Sequence, residues 1–143
     1  MTNLSIILPL LTLALALAGG SSAAMAENFN FKTPSDNIYC AYYDDDGKGL
    51  VRCDIKSYTP TTPKRPADCE LDWGYAFEVV GGNKRGYIVC GGDTVISSDA
   101  ETLPYGTRWK REGITCLIEE TGVTCTNRRG RGFFVSRAEQ RVF

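Results

Sequence analysis

The chain has no histidine among its 143 residues. Without imidazole there is no Ser-His-Asp or Cys-His nucleophile pair, no histidine metal ligand, and no side chain that titrates unaided near neutral pH. Charge is missing from residues 1–26, which hold no Lys, Arg, Asp or Glu. Helical periodicity is missing as well, because no segment of ten or more residues after residue 26 repeats its apolar side chains at the spacing of a helix. No Asn-x-Ser/Thr sequon occurs there either.

What is present begins with an apolar run from Leu4 to Ala18, followed by Gly19-Gly20-Ser21-Ser22 and Ala24-Met25-Ala26. The small-x-small end reads as a signal peptide cleaved before Glu27, leaving residues 27–143 as one secreted or periplasmic domain. A retained membrane anchor is the alternative, but the run is shorter than the roughly 20 residues a spanning helix needs. No cysteine lies near the cleavage site to carry a lipid.

Six cysteines follow: Cys40, Cys53, Cys69, Cys90, Cys116 and Cys125. In an oxidising compartment an even set is most economically three disulfides, which makes these sulfurs staples rather than nucleophiles or metal ligands. A closed loop of some 15 residues contributes about 3 kcal/mol, a large share of a small domain's net stability.

Short runs rich in Val, Ile, Tyr, Phe and Thr, broken by Gly, Asp, Asn and Pro, predict an all-β domain, a small sandwich or barrel built from hairpins. The strands are expected at 28–32, 38–44, 50–55, 75–80, 86–90, 113–119, 123–127 and 132–136. Ser57 to Asp68, with Pro60, Pro63 and Pro66, lacks the donors of a central strand and reads as surface loop or edge. Ser136 and Glu139 have capping-box spacing, which predicts a short helical turn near the C-terminus.

Asp46-Gly47 favours a two-residue type I′ turn that sets Asp45 opposite Lys48. Counting back from there, Cys40 faces Cys53 in a close, non-hydrogen-bonded pair suited to a disulfide. Proximity favours Cys116 with Cys125, although a two-residue loop at Glu120-Thr121 needs residues averse to positive φ, and a bulge at Gly122 would shift the register by one. Cys69 and Cys90 remain. Six cysteines allow 15 pairings, so this connectivity is a preference and not a deduction. The echo Gly49-Leu50-Val51-Arg52-Cys53, Gly86-Tyr87-Ile88-Val89-Cys90 and Gly122-Val123-Thr124-Cys125 raises a β-trefoil-like repeat as the alternative fold.

The motifs Phe31-Lys32-Thr33-Pro34-Ser35-Asp36-Asn37-Ile38-Tyr39-Cys40, Val51-Arg52-Cys53-Asp54-Ile55, Cys69-Glu70-Leu71-Asp72-Trp73-Gly74, Leu103-Pro104-Tyr105-Gly106, Gly122-Val123-Thr124-Cys125-Thr126-Asn127 and Gly132-Phe133-Phe134-Val135-Ser136-Arg137 run through nearly the whole mature chain. In that order they resemble a family of short exported bacterial proteins of unknown function. The resemblance implies export, paired cysteines and a small β fold; it implies no substrate and no site residue.

Charge is uneven. Residues 27–106 carry an excess of acids, and residues 107–143 an excess of bases, which points to a basic patch near the C-terminus. Arg128, Arg129 and Arg131, spaced by Gly130 and followed by Phe133-Phe134, are the most suggestive segment. Guanidinium forks there suit phosphate, sulfate or carboxylate groups. Asn83-Lys84-Arg85 joins them only if the fold brings the two loops together. Nucleic acid is not expected, because three arginines are few for so dense a polyanion. Trp73 and Trp109 each stand beside charge, as a glycan platform or as packing under a loop.

Asp44-Asp45-Asp46-Gly47 invites calcium, but Lys48 occupies a ligand place of the loop pattern and turn formation accounts for the acids. Neither a metal nor another cofactor is expected. Asp72, Glu78, Asp93, Glu119 and Glu120 are the carboxylates a glycan hydrolase would need in a pair, with solvated surface charge as the plain alternative. Catalytic residues are expected to be none. The reading is therefore a non-enzymatic exported module that binds a cell-envelope glycan, an anionic polymer or a surface protein. An inhibitor of an extracellular hydrolase is the alternative, and a carboxylate-dependent glycan hydrolase stands third.

Overall fold

The computed structural model describes residues 28–45 and 47–143. Residues 1–27, which include the segment expected to be a signal peptide, and Asp46 of the acidic turn lie outside the described residues.

The strands are β1 (Phe29–Lys32), β2 (Ile38–Asp45), β3 (Lys48–Ile55), β4 (Ala76–Val80), β5 (Tyr87–Ile88), β6 (Glu101–Thr102), β7 (Thr107–Arg111), β8 (Ile114–Glu119), β9 (Gly122–Thr126), β10 (Gly132–Val135) and β11 (Gln140–Val142). A six-stranded sheet runs β5-β4-β3-β2-β1-β6 and a five-stranded sheet β11-β10-β9-β8-β7. Neighbours are antiparallel except β1 and β6, which run parallel. This is an all-β sandwich, and its two sheets replace the trefoil alternative.

Alternation builds the core. Phe31, Cys40, Tyr42, Val51, Cys53, Phe77 and Val79 point inward from the first sheet, and Ile114, Ile118, Val123, Phe133 and Val135 from the second, none of them more than 1% exposed. Each large side chain so buried contributes about 1.5–3 kcal/mol. Trp109 on β7 closes one side, its ring centroid 5.5 Å from that of Phe31, 5.6 Å from Tyr42 and 6.0 Å from Phe29.

The β2–β3 register is Asp45 with Lys48 through Cys40 with Cys53, residue for residue as the turn chemistry predicts. The three disulfides are Cys40–Cys53, Cys69–Cys90 and Cys116–Cys125, with Cα separations of 4.1, 5.8 and 4.1 Å. Cys116 and Cys125 are aligned by the two-residue loop, not displaced by a bulge, since Glu119 pairs with Gly122. Gly122 takes the unusual φ of 145°, and neither Glu120 nor Thr121 has a positive φ.

Two expectations are corrected. No helical turn forms at Ser136. Its hydroxyl accepts from the Glu139 N–H at 3.0 Å, but its own N–H donates to the Glu139 carbonyl at 2.8 Å, so the capping pattern closes the hairpin between β10 and β11. Strands β6, β7 and β11 were not expected. In β7 the outward Arg108 and Lys110 are solvated at a sheet edge while Trp109 packs inward, a pattern that charge masks in the sequence.

The outer face of the first sheet is covered. Tyr39 and Ala41 pack there with Val95 and Ala100 from the segment between β5 and β6. Beside them Arg52 and Asp54, two apart on β3 and therefore on one face, are both buried. Arg52 Nε and Nη2 donate to the Asp54 carboxylate at 2.8 and 3.1 Å, and Nη1 donates to Asp93 Oδ1 at 2.8 Å. Asp54 Oδ2 also accepts from the Thr94 hydroxyl at 2.9 Å and the Val95 N–H at 3.0 Å, strapping the covering segment down. Burial works against the Arg52 cation, but the two carboxylates more than offset it and raise its pKa.

Candidate functional site

The arginine segment forms the turn between β9 and β10. Asn127 N–H donates to the Arg131 carbonyl at 2.8 Å, Gly130 N–H donates to the Asn127 carbonyl at 3.0 Å, and Gly130 takes φ 70°. The Asn127 side-chain oxygen accepts from the N–H groups of Arg129 and Arg131 at 3.1 and 3.2 Å. Arg128, Arg129 and Arg131 are all exposed on this fixed turn.

The same asparagine recruits a second basic loop. Its buried Nδ2 donates to the carbonyls of Val80 and Lys84 at 3.2 and 2.8 Å, across to the connection between β4 and β5. Backbones touch at Gly86 and Gly132, where a Cβ on Gly86 would stand 2.0 Å from the Gly132 carbonyl oxygen. Only glycine allows this approach. Arg85 then donates to the Val142 carbonyl at 3.1 Å. Gly81-Gly82-Asn83-Lys84-Arg85-Gly86 and Asn127-Arg128-Arg129-Gly130-Arg131-Gly132 thus lie side by side, composed only of Gly, Asn, Lys and Arg. A cleft of about 270 Å³ between Gly81, Gly82, Lys48, Arg128 and Glu112 borders them. Lys84 and Arg85, conditional in the sequence, belong to the cluster, and Asn127, which organises it, carried no expectation.

The tryptophans lie apart from this end. Trp109 is packed in the aromatic group at the sandwich edge. Trp73 lies in the connection between β3 and β4, with its Nε1 donating to the Pro63 carbonyl at 2.9 Å. It is half-buried and borders two depressions of about 570 and 430 Å³, neither of which is lined by Arg128, Arg129 or Arg131.

The carboxylates divide too. Asp72 and Asp93 line one depression near Trp73. The hydrogen bond and charge of Arg52 hold Asp93 below the usual carboxylate range. Glu78 accepts a hydrogen bond from the Tyr87 hydroxyl on the outer face. Glu119 and Glu120 border a cleft with Arg137 at their own hairpin turn. Among the described residues no three His, Cys, Asp or Glu side chains gather to hold a metal ion, and Asp44 Oδ1 accepts from the Gly47 N–H at 2.8 Å as a turn former does.

Fold and site define a small β-sandwich stapled by three disulfides, with two basic glycine loops joined at one end. The chain belongs to the family of unknown function DUF6636, matched over residues 9–143, in agreement with the resemblance carried by the cysteine-flanking motifs. No curated protein and no solved structure matches it. Among the described residues no helix is long and apolar enough to cross a membrane.

Proposed function

We propose that the protein is exported and works as a non-enzymatic binding module, gripping an anionic polymer of the cell envelope through its cationic loop end. One observation carries this reading: Asn127 ties together two loops that bear Lys84, Arg85, Arg128, Arg129 and Arg131 and no acid. Exposed guanidinium forks on a pre-ordered turn suit phosphate, sulfate or carboxylate groups repeated along a chain. Ordering the loops in the free protein lowers the entropy that binding must otherwise overcome. Glu112 shares a cleft with Arg128 and limits the reach of the cluster on that side.

Export is supported by the leader-like residues 1–26 and by three disulfides, which persist in oxidising compartments. An inhibitor of an extracellular hydrolase would have to use these same loops. The proline-rich segment is held down, with Trp73 bonded to Pro63 and the Thr61 N–H donating to Gln140 Oε1 at 3.0 Å.

The test is calorimetric titration of the oxidised protein with dextran sulfate, polyphosphate and neutral dextran. Binding to the two polyanions but not to dextran is expected, weakening at least tenfold between roughly 50 and 200 mM salt. Simultaneous replacement of Arg128, Arg129 and Arg131 by Ala should abolish it. Equal behaviour of this variant and the parent would overturn the proposal.

A further inference from the structure

We infer that the trough beside Trp73 is a second, separate binding site, and that its ligand is an oligosaccharide of uncharged pyranose rings. The two depressions there, about 570 and 430 Å³, share Tyr58, Asp72 and Trp73 as walls, so they adjoin at this trio as the two halves of the trough. Two adjoining halves offer room for more than one sugar ring.

Three aromatic side chains, Tyr58, Trp73 and Tyr75, line the larger half. Aromatic rings offer an apolar face for the C–H face of a sugar and a polar tip that must find a partner. The tips of two are already engaged by the protein. Trp73 Nε1 donates to the Pro63 carbonyl, and the Tyr75 hydroxyl donates to the Gly91 carbonyl at 3.0 Å. The walls are cross-braced as well. Cys69–Cys90 joins the two segments, and Asp72 pairs with Gly91 as an isolated antiparallel bridge. Fixed rings lose little freedom when a ligand arrives.

Charge selects the ligand class. Asp72 and Asp93 share the larger half with Lys56, and Arg52 stands behind Asp93. Lys64 and Arg65 share the smaller half with Asp72. Acceptors and donors therefore both stand beside the aromatic side chains in each half. An aromatic cage for a quaternary ammonium would exclude Lys56, and a pure anion site would exclude the acids. Sugar hydroxyls, each both donor and acceptor, match the mixed rim.

The experiment titrates the oxidised protein with chitotetraose, cellotetraose and mannotetraose, followed by calorimetry and by backbone amide shifts. At least one tetrasaccharide should saturate below about 5 mM, bind about tenfold tighter than its monosaccharide, and shift amides of residues 56–75 and 91–96. Trp73→Ala should weaken it at least tenfold, and so should Asp72→Ala, which leaves the Trp73–Pro63 hydrogen bond in place should Trp73→Ala misfold. Replacing the three turn arginines should leave it unchanged, and added salt should matter little. The inference is overturned if no tetrasaccharide saturates, if both variants bind as the parent does, or if the shifted amides map to the cationic end. A proline-rich peptide that shifts the trough amides where the sugars do not would assign the site to a protein partner instead.

Discussion

The Sγ atoms of Cys53 and Cys125 lie 4.0 Å apart across the middle of the sandwich, so the disulfide of one sheet rests on the disulfide of the other. Each bridge is a close cross-strand pair whose side chains point inward, and face-to-face packing brings them into contact. A thiol freed at Cys53 therefore sits within reach of a disulfide sulfur. Cys40→Ala is expected to yield, beside the parental bridge, a Cys53–Cys125 bridge with Cys116 released. Peptide mapping after alkylation checks this, and recovery of Cys116–Cys125 alone would show that the sulfurs do not align for exchange.

Access differs among the bridges. Cys90 is exposed, whereas Cys40, Cys53, Cys116 and Cys125 are at most 1% exposed. Mild reductant under native conditions should open Cys69–Cys90 first, with the others protected until the fold opens. Time-resolved alkylation and mass spectrometry would follow the order. Because Cys69 anchors the segment that carries Trp73, the tryptophan emission should shift in step with this first reduction.

Removing Arg52 leaves the fully buried Asp54 carboxylate without its cation. Arg52→Ala should cost about 3–5 kcal/mol in a urea titration. Arg52→Met combined with Asp54→Val should cost less than the sum of the two single changes, because the double change leaves no unpaired charge in the interior.

Asp93 gives a pH dependence of defined sign. Arg52 depresses its folded pKa below the unfolded value, so its stabilising contribution is present at neutral pH and is lost as pH falls through about 3.9 and below. Its side chain is 79% exposed, so solvent screens the effect and it is small. The difference in melting temperature between the parent and Asp93→Asn should hold level from pH 7 to about pH 5 and shrink as pH falls from there to pH 3 and below.

Two glycines of the cationic end separate local strain from collision. Gly130 has φ 70° and open space around its missing side chain, so Gly130→Ala should cost about 1–2 kcal/mol. A Cβ on Gly132 would lie 1.8 Å from the Cys125 carbonyl oxygen, which no side-chain motion relieves. Gly132→Ala should cost several times more, measured by the same denaturation, and should loosen the arginine turn.

Local chemistry made much of this protein legible in its amino acids. A two-residue turn leaves one register open to the strands it joins, so Asp46-Gly47 was enough to place Cys40 opposite Cys53. Alternating apolar runs carried the β class, and the absence of histidine excluded histidine-based catalysis alone. Glu112-Gly113 escaped notice because glutamate rarely takes the φ of 42° that this turn imposes. What required the fold is every relationship between segments distant in the chain: Asn127 reaching Val80 and Lys84, Arg52 reaching Asp93, Trp73 meeting Tyr75 and Asp93 in one trough while Trp109 joins the core edge. Turn geometry and side-chain alternation act over a few residues, whereas which loops become neighbours depends on how two twisted sheets settle to bury their inner faces, and no short stretch of sequence encodes that.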